Sequence, residues 1–249
     1  MDVDDRARRS TRDGRLCALN EPPVPLQLMH CAADDANRPR LEAFVQDVFR
    51  HTYHAEVNTF CPGLLALHHP GDRIAAVAGV RPADTEPLFS EVYLDKPVER
   101  QLAETNARTV RRASIVEIGN LAPAGAGQAR WLIATLTAYL YAAGFEWVVF
   151  TSIPLVCNAF ARLGLPLSVL AEARVQCLPA ADRAHWGSYY DARPMVFAGH
   201  VKTGYYLLRN RIDPALPRLV RLWHQALAAG AGVAAGGSHY APIRVPAAV

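Results

Sequence analysis

The segment 114–165 constrains the fold most, because strand-like and helix-like stretches alternate along it. An apolar stretch at 115–121 leads into a loop of small residues at 122–127, and a helical pattern then runs from 128 to 143. Gly144 follows that helix, at the place where a left-handed residue is favoured. A second apolar stretch and a second helical pattern complete the segment. This order predicts a βαβα unit that contains a parallel pair of strands.

The rest of the chain carries the patterns of single elements. Apolar residues at helical spacing predict a helix over 38–54, and the turn sequence at 69–72 predicts a hairpin. The other predicted elements are a strand at 26–30, hairpin strands at 64–68 and 73–80, a strand candidate with Glu91 and Tyr93 on one face, a helix over 97–106, extended segments at 167–170 and 195–201, and a helix over 214–229.

Composition changes at both ends predict the domain organisation. Residues 1–24 are charged and then rich in proline, so we expect a mobile N-terminal arm. One folded domain is expected over 25–212, followed by a C-terminal helix over 213–230. A flexible tail is expected over 231–249, because this stretch is rich in alanine and glycine and has few apolar side chains to pack.

The composition also narrows the class of protein. The net charge is +3 and no basic stripe with interleaved aromatic residues is present, so we expect no nucleic acid partner. The charged N-terminus lacks the apolar region of a secretory signal, and no stretch has the length of a membrane-spanning helix. We therefore expect a cytoplasmic protein without stable membrane insertion. Five cysteines without a CxxC pair predict reduced thiols and no metal site.

Five ordered segments between residues 38 and 202 resemble the thermostable hemolysin family of bacteria, whose name records a phenotype and not a chemistry. The segments are Glu91-Val-Tyr-Leu-Asp, Val116-Glu-Ile-Gly-Asn-Leu-Ala, Glu146-Trp-Val-Val-Phe-Thr, Asn158-Ala-Phe-Ala-Arg-Leu-Gly-Leu-Pro-Leu and Trp186-Gly-Ser-Tyr-Tyr.

The 115–165 region is also similar to the second half of a GNAT (N-acetyltransferase superfamily) domain. This resemblance implies an α/β (α+β) fold, with a mixed central sheet, helices on both faces and a parallel, splayed strand pair. It also implies that the loop Ala122-Pro123-Ala124-Gly125-Ala126-Gly127 holds a phosphate of the acyl donor at the start of the next helix, where backbone N–H groups are unpaired. The implied donor-binding residues are Leu121, Ala122, Gly125, Ala126, Gly127, Gln128 and Arg130, with Asn158 on the following helix. A close-packed strand-to-helix turn is the alternative.

The loop departs from the GNAT pattern at Ala122, where a glutamine or arginine is usual. Acyl-homoserine-lactone synthases share the GNAT core and take acyl chains from acyl carrier protein, so either acyl-CoA or an acyl-phosphopantetheine on that carrier is implied as co-substrate. Carrier proteins are acidic, and Arg108, Arg111, Arg112 and Arg130 are expected near the donor entrance. The alternative for these arginines is an ordinary solvated basic face.

Glu117 is the candidate proton acceptor for attack of an amine on a thioester. It stands in an otherwise apolar strand, where a charged carboxylate is costly unless it is paired. The alternative is a structural ion pair with an arginine such as Arg81. By strand alternation Asn120 points to the opposite face from Glu117, unless a bulge intervenes near Gly119.

Several further side chains are candidates for the reaction. Asn120 is a candidate to orient the thioester or, alternatively, to cap the loop, and Glu91 or Tyr93 to position the amine. Tyr189 is a candidate general acid, as are Tyr93 and Tyr190, although an aromatic pair of Tyr189 and Tyr190 beside Trp186 is also typical of core packing.

These observations favour an N-acyltransferase that joins an acyl group, fatty acyl groups included, to an unidentified small-molecule amine. Two alternatives stay open: a protein that lyses membranes directly, and a GNAT-like protein that binds ligands without catalysis.

Overall fold

The computed structural model describes residues 19–235 and contains one seven-stranded sheet. The strands are β1 (Gln27–Cys31), β2 (Gly63–His68), β3 (Ile74–Pro82), β4 (Ile115–Pro123), β5 (Trp147–Ser152), β6 (Ser168–Glu172) and β7 (Met195–His200). Their order across the sheet is β1-β2-β3-β4-β5-β7-β6. All neighbours are antiparallel except β4 and β5, which are parallel as the sequence predicts.

Helices cover both faces of the sheet. They are α1 (Arg38–Tyr53), α2 (Val98–Asn106), α3 (Ala126–Ala142), α4 (Pro154–Arg162), α5 (Ala180–Arg183), α6 (Val201–Arg209) and α7 (Pro217–Ala235). We call the face covered by α3 the inner face; α6 and α7 share the apolar core that α3 forms with the sheet there. The outer face carries α1 and α2, each with its own apolar cluster. The predicted α/β architecture, a mixed sheet with one parallel strand pair and helices on both faces, is thereby confirmed.

The 3₁₀ helix Phe89–Tyr93 replaces the strand expected around Glu91 and Tyr93, so that prediction is wrong. Its apolar residues resemble those of a strand, but two carboxylates bind its backbone and hold it in a turn. The Glu91 side chain accepts from the N–H of Leu88, and Glu117 accepts from the N–H groups of Phe89 and Ser90. Contacts distant in sequence therefore decide the conformation here.

The ends of the described chain are more ordered than the sequence predicts. Residues 19–24 were expected in a mobile arm, but Leu19 is buried and the Asn20 carbonyl accepts from Trp131 Nε1 at 3.0 Å. Helix α7 runs to Ala235, beyond the expected end at 230, because Val233 still packs in the core. Residues 1–18 and 236–249, which complete the expected arm and tail, lie outside the described residues.

Helix α6 follows β7 directly and has no counterpart in the sequence prediction. Within residues 19–235, no helix is both long enough and apolar enough to cross a membrane.

Candidate functional site

The parallel strands β4 and β5 separate partway along their length. They pair from Ile115 opposite Trp147 to Ile118 opposite Phe150, and β4 then continues to Pro123 while it pairs only with β3. Two β4 residues, Asn120 and Leu121, lie opposite a single β3 residue in a bulge, and Asn120 takes a left-handed φ of 47°. A bulge bends its strand, so β4 turns away from β5 and leaves a gap.

A cavity of about 380 Å³ occupies this gap. Its lining includes Gly119, Asn120 and Leu121 of β4 and Thr151 and Ser152 of β5. Residues of both sheet faces contribute, so the cavity passes through the sheet between the two strands.

We call the part of the cavity between α3 and the sheet the inner chamber. Its side chains are apolar and come from the core of that face: Ile133, Leu136, Leu140, Val148, Phe150 and Phe160. Thr137 also lines the cavity, and its hydroxyl donates to the Ile133 carbonyl at 2.8 Å. This chamber suits a hydrocarbon chain.

We call the part on the opposite face the outer chamber. An aromatic wall lines it, formed by Phe49, Tyr53, Phe89, Tyr93, Trp186 and Tyr189. The rings contact one another in series: Trp186 lies 5.7 Å from Phe89 and 5.3 Å from Tyr189, and Tyr189 lies 5.2 Å from Tyr53, centroid to centroid. Edge-to-face and tilted contacts at these distances stabilise such clusters, so the rings of the wall hold one another in place.

Two chain segments meet to hold the wall. The N–H of Ser188 donates to the Tyr53 carbonyl at 2.8 Å, and the N–H of Glu56 donates to the His185 carbonyl at 2.6 Å. A Cβ at Gly187, which has a φ of +48°, would lie 2.1 Å from the Tyr53 carbonyl oxygen. Only glycine fits this approach, which gives the turn-like sequence around Trp186 its physical reason.

Glu117 lies on the outer face, lines the cavity, and is only 3% exposed. One carboxylate oxygen accepts from the N–H of Ser90 at 2.7 Å and from the Ser90 hydroxyl. The other accepts from Arg81 at 3.2 Å and from the N–H of Phe89 at 2.9 Å. The ion pair with Arg81, which the sequence offered as the alternative to a catalytic role, is therefore present. Glu117 also anchors the 3₁₀ helix that carries Phe89.

Glu91 does not line the cavity. Arg112 donates two hydrogen bonds of 2.7 Å to the Glu91 carboxylate. The N–H groups of Leu88 and Val98 donate to the same carboxylate at 3.0 and 3.1 Å. The hydrogen bonds from Arg112 lower the pKa of Glu91 to about 2. This carboxylate ties the 3₁₀ helix to the start of α2, and it stays ionised across the neutral range.

Asn120 lines the gap, and its side chain binds the segment before β2. Its Oδ1 accepts from the N–H of Cys61 at 2.9 Å, and its Nδ2 donates to the Thr59 carbonyl at 3.0 Å. Cys61 fits over two glycines, since a Cβ at Gly79 or Gly119 would come within 2.7 or 2.9 Å of its sulfur. Burial raises the pKa of the Cys61 thiol to about 12, so this thiol is not a nucleophile at neutral pH.

The tyrosines of the aromatic wall are protonated at neutral pH. Burial raises the pKa of Tyr189, whose hydroxyl donates to the Thr151 carbonyl at 3.4 Å. Burial, with a hydrogen bond to Tyr190, raises the pKa of Tyr93 as well. Each hydroxyl is a hydrogen-bond donor and a very weak acid.

The glycine loop lies where β4 passes into α3. Leu121 lines the cavity, and Ala122 is buried and pairs with Val77 of β3. Gly125 is the extended residue before α3, and Ala126, Gly127, Gln128 and Arg130 lie in the first turns of that helix. Helix α3 thus begins inside the expected loop, at Ala126 and not at Gln128. Asn158 is exposed on α4 and does not line the cavity.

The arginines expected at the donor entrance do not form one group, so that prediction is wrong. Arg112 comes just before β4, whereas Arg130 follows its far end, and the nine residues of β4 span about 26 Å. Arg112 binds Glu91 and Glu99, and Arg108 lies 3.4 Å from Glu146. Among the described residues, no group of three or more His, Cys, Asp and Glu side chains could hold a metal ion.

Sequence reasoning missed several contacts in and around the cavity. Ser90, which binds Glu117 but does not line the cavity, gives no motif, and neither does the contact of Cys61 with Asn120. Both contacts join segments far apart in sequence. Phe49 belongs to the apolar pattern of the helix predicted over 38–54, and Tyr53 lies in the last turn of that helix; nothing in the pattern separates these two from core residues. Glu56 and Asp182 lie at the rim in irregular or short elements.

A sequence profile of the family described as "Thermostable hemolysin" matches residues 31–205. No curated protein sequence matches the chain.

Solved structures of similar fold include FeeM, an N-acyl amino acid synthase from uncultured soil microbes. It is 12% identical and has a TM-score of 0.52, and the alignment covers 76% of this chain and 98% of FeeM. MesI, a CoA-dependent acyl-homoserine lactone synthase, is 15% identical with a TM-score of 0.49, covering 76% and 98% of the two chains. TofI, in an apo form, is 13% identical with a TM-score of 0.49, covering 76% and 99%. At these identities, the similarity to FeeM shows a shared fold.

Proposed function

The chain belongs to the thermostable hemolysin family, and we propose that it is an N-acyltransferase that moves an acyl group from a thioester to an amine. The observation that carries this proposal is the cavity through the sheet, where β4 parts from β5. An apolar chamber and a polar-rimmed chamber meet at that gap. A thioester placed in the gap would point its acyl chain one way and meet the amine from the other.

The donor's tether would lie along β4 beyond Ile118, where the strand has no partner in β5. Backbone groups of residues 119–122, Leu121 and Ala122 among them, would bind the pantetheine arm as a further strand does. The phosphate end would rest on the backbone of Gly125, Ala126, Gly127 and Gln128 at the start of α3, with Arg130 and Asn158 as flanking contacts. Because Ala122 supplies no polar side chain, acyl-CoA and acyl carrier protein are both candidate donors.

The inner chamber supports a fatty acyl donor. Its floor consists of leucine, isoleucine, valine and phenylalanine side chains, which bind methylene groups and give an acetyl group nothing specific to contact. Each buried methylene contributes about 0.8 kcal/mol.

In the reaction, a neutral amine attacks the carbonyl carbon, the C–N bond forms and the C–S bond breaks. The proton from nitrogen passes to Glu117 and then to the departing thiolate, so an amide and a free thiol result. Asn120, Glu91 and Tyr189 have positioning roles in this proposal. Asn120 fixes the segment at the gap, Glu91 fixes the 3₁₀ helix, and Tyr189 forms part of the wall.

Thiol release with acyl-CoA or acyl carrier protein, over a panel of amines, tests the proposal, with mass spectrometry of the amide. We expect Glu117→Gln to lower kcat about 100-fold or more. Since this variant also weakens the anchor of the 3₁₀ helix, its melting temperature is measured in parallel. Leu136→Phe, which narrows the inner chamber without touching Glu117, is expected to lower kcat/KM for decanoyl-CoA more than for butanoyl-CoA.

The matched control is Val169→Phe, at an exposed position away from the cavity. If no donor and amine pair releases thiol above background, the acyltransferase proposal is abandoned.

One observation favours a second candidate, ligand binding without turnover. Both oxygens of Glu117 already accept two hydrogen bonds each, which leaves little capacity for a proton. Saturable binding of acyl-CoA without thiol release would support this second function.

A further inference from the structure

We infer that the acceptor is a linear diamine or polyamine, in which one neutral nitrogen reacts while a second, cationic nitrogen binds at the rim of the outer chamber. This inference rests on the proposed acyl transfer and names the substrate class of that site. The products are a singly acylated polyamine and the free thiol.

The charges around the cavity favour a cation. Of the described residues that line it, three are acidic, Glu56, Glu117 and Asp182, and Arg81 is the sole arginine or lysine. Arg81 is already held between Glu86 at 2.7 Å and Glu117 at 3.2 Å. Among residues 19–235, the outer chamber therefore offers no free guanidinium.

Glu56 and Asp182 are both exposed at the rim. Neither carboxylate forms an ion pair with another residue of the described range 19–235. The hydrogen bond from Glu56 to the His185 carbonyl joins the segments that carry these acids. Two unpaired negative charges on a fixed rim attract an ammonium group from solution.

The aromatic wall is the second feature that favours binding of a cationic amine. Tyr53, Phe89 and Trp186 line the same cavity as Glu56 and Asp182, and all three are half-buried. Aromatic faces attract ammonium groups, and they do so more strongly when water is excluded. The same rings can contact the methylene groups of an alkyl chain. An alkyl amine with a second, cationic nitrogen at its outer end therefore matches both the aromatic wall and the acidic rim.

An acceptor with a carboxylate fits this chamber poorly. Carboxylates in binding sites are recognised by arginine forks or by unpaired backbone N–H groups, whereas here the anion would meet Glu56 and Asp182. Like charges disfavour such binding. The acidic rim is thus expected to discriminate between amines by the charge at the end opposite the reacting nitrogen.

Three amines with four carbon atoms each test the inference: 1,4-diaminobutane, butylamine and 4-aminobutanoate, which end in a cation, a methyl group and an anion. With the full chain and decanoyl-CoA, we expect kcat/KM for diaminobutane to exceed that for butylamine about tenfold, with 4-aminobutanoate lowest. The advantage is expected to shrink as NaCl rises, because salt screens exposed charges. In the double variant Glu56→Gln/Asp182→Asn, the ratio of diaminobutane to butylamine should fall towards one. Glu172→Gln, an exposed acid on β6, is the matched control and should keep the ratio of the native chain.

Calorimetric titration of the three amines into the donor-free protein gives a readout independent of turnover. Diaminobutane alone should bind, and binding should weaken in the double variant. Equal kcat/KM for all three amines, or preference for 4-aminobutanoate, overturns the inference and leaves the acyltransferase intact. Diaminobutane binding without thiol release for any amine would instead contradict the acyltransferase. If diaminobutane neither binds nor supports thiol release, the inference is overturned as well.

Discussion

At the residue scale, carboxylates determine the shape of the outer chamber. Glu91 and Glu117 each accept four hydrogen bonds, and together they hold both ends of the segment 88–98. The aromatic rings of Phe89 and Tyr93 are placed by this segment. Two buried or half-buried charges thus position a wall whose own contacts are apolar.

Glu91 makes the stability of the chain depend on pH. Its pKa is lowered from 4.5 to about 2 by Arg112, so the folded state binds this proton less tightly than the unfolded chain. The stabilisation is fully present above the ordinary pKa and is lost as the pH falls towards the lowered one. We expect Glu91→Gln to cost about 2 kcal/mol of unfolding free energy at neutral pH, and the difference from the native chain to shrink below about pH 4.5.

Urea unfolding of both proteins between neutral pH and pH 3 measures this effect. Glu104→Gln is the control, because the Lys96–Glu104 pair is largely exposed and such pairs contribute little. If the difference in unfolding free energy between Glu91→Gln and the native chain stays constant from neutral pH to pH 3, the ionised Glu91 is not the cause of the pH dependence.

At the element scale, local patterns predicted the elements that local contacts hold, and they failed where distant residues decide. The hairpin of β2 and β3 was predictable because His69, Pro70, Gly71 and Asp72 form a turn by themselves. The 3₁₀ helix at 89–93 was not, because Glu117, far away in sequence, binds its N–H groups. Helix α6 was missed although Val201, Tyr205 and Leu208 carry its buried face at helical spacing.

Helix α7 packs against α3, and Gly230 is the point of closest approach. A Cβ there would lie 2.1 Å from the Tyr139 carbonyl oxygen and 3.0 Å from Ala142. The same helix carries Ile133, Leu136 and Leu140 of the inner chamber. The contact with α7 therefore helps to hold in place a helix that lines the cavity.

We expect Gly230→Val to lower the unfolding free energy by about 1–3 kcal/mol or more, because the helices must separate to admit the side chain. Thermal melting followed by circular dichroism measures the change. Ala228→Val, on the exposed side of the same helix, tests the effect of valine on the helix alone. Equal destabilisation by both variants would show that the α3 contact is not the cause.

At the scale of the whole molecule, the sequence pattern predicted the parallel pair of strands but not the cavity between them, and the separation of the two strands was implied only by the resemblance to GNAT domains. The βαβα pattern at 114–165 is contiguous, so periodicity and glycine positions were enough to predict it. The cavity draws its lining from segments between Phe49 and Tyr189. Glu117 was identifiable in the sequence as a charge in an apolar strand. Glu56 and Asp182 were not identifiable, because they are far apart in sequence and only the folded chain brings both to the cavity.

The cavity also bears on the lytic phenotype in the family's name. Its hydrocarbon lining is turned inward around the gap, where it can hold a fatty acyl chain. An amide of a fatty acid with a charged amine is an amphiphile, whose chain gains about 0.8 kcal/mol per methylene buried in a bilayer. We therefore expect purified protein alone to leave dye-loaded phosphatidylcholine vesicles intact, and lysis to require acyl-CoA and amine together. Donor and amine without protein, and protein with each alone, are the controls. Dye release by protein without donor would support direct membrane action and count against a lytic role for the product.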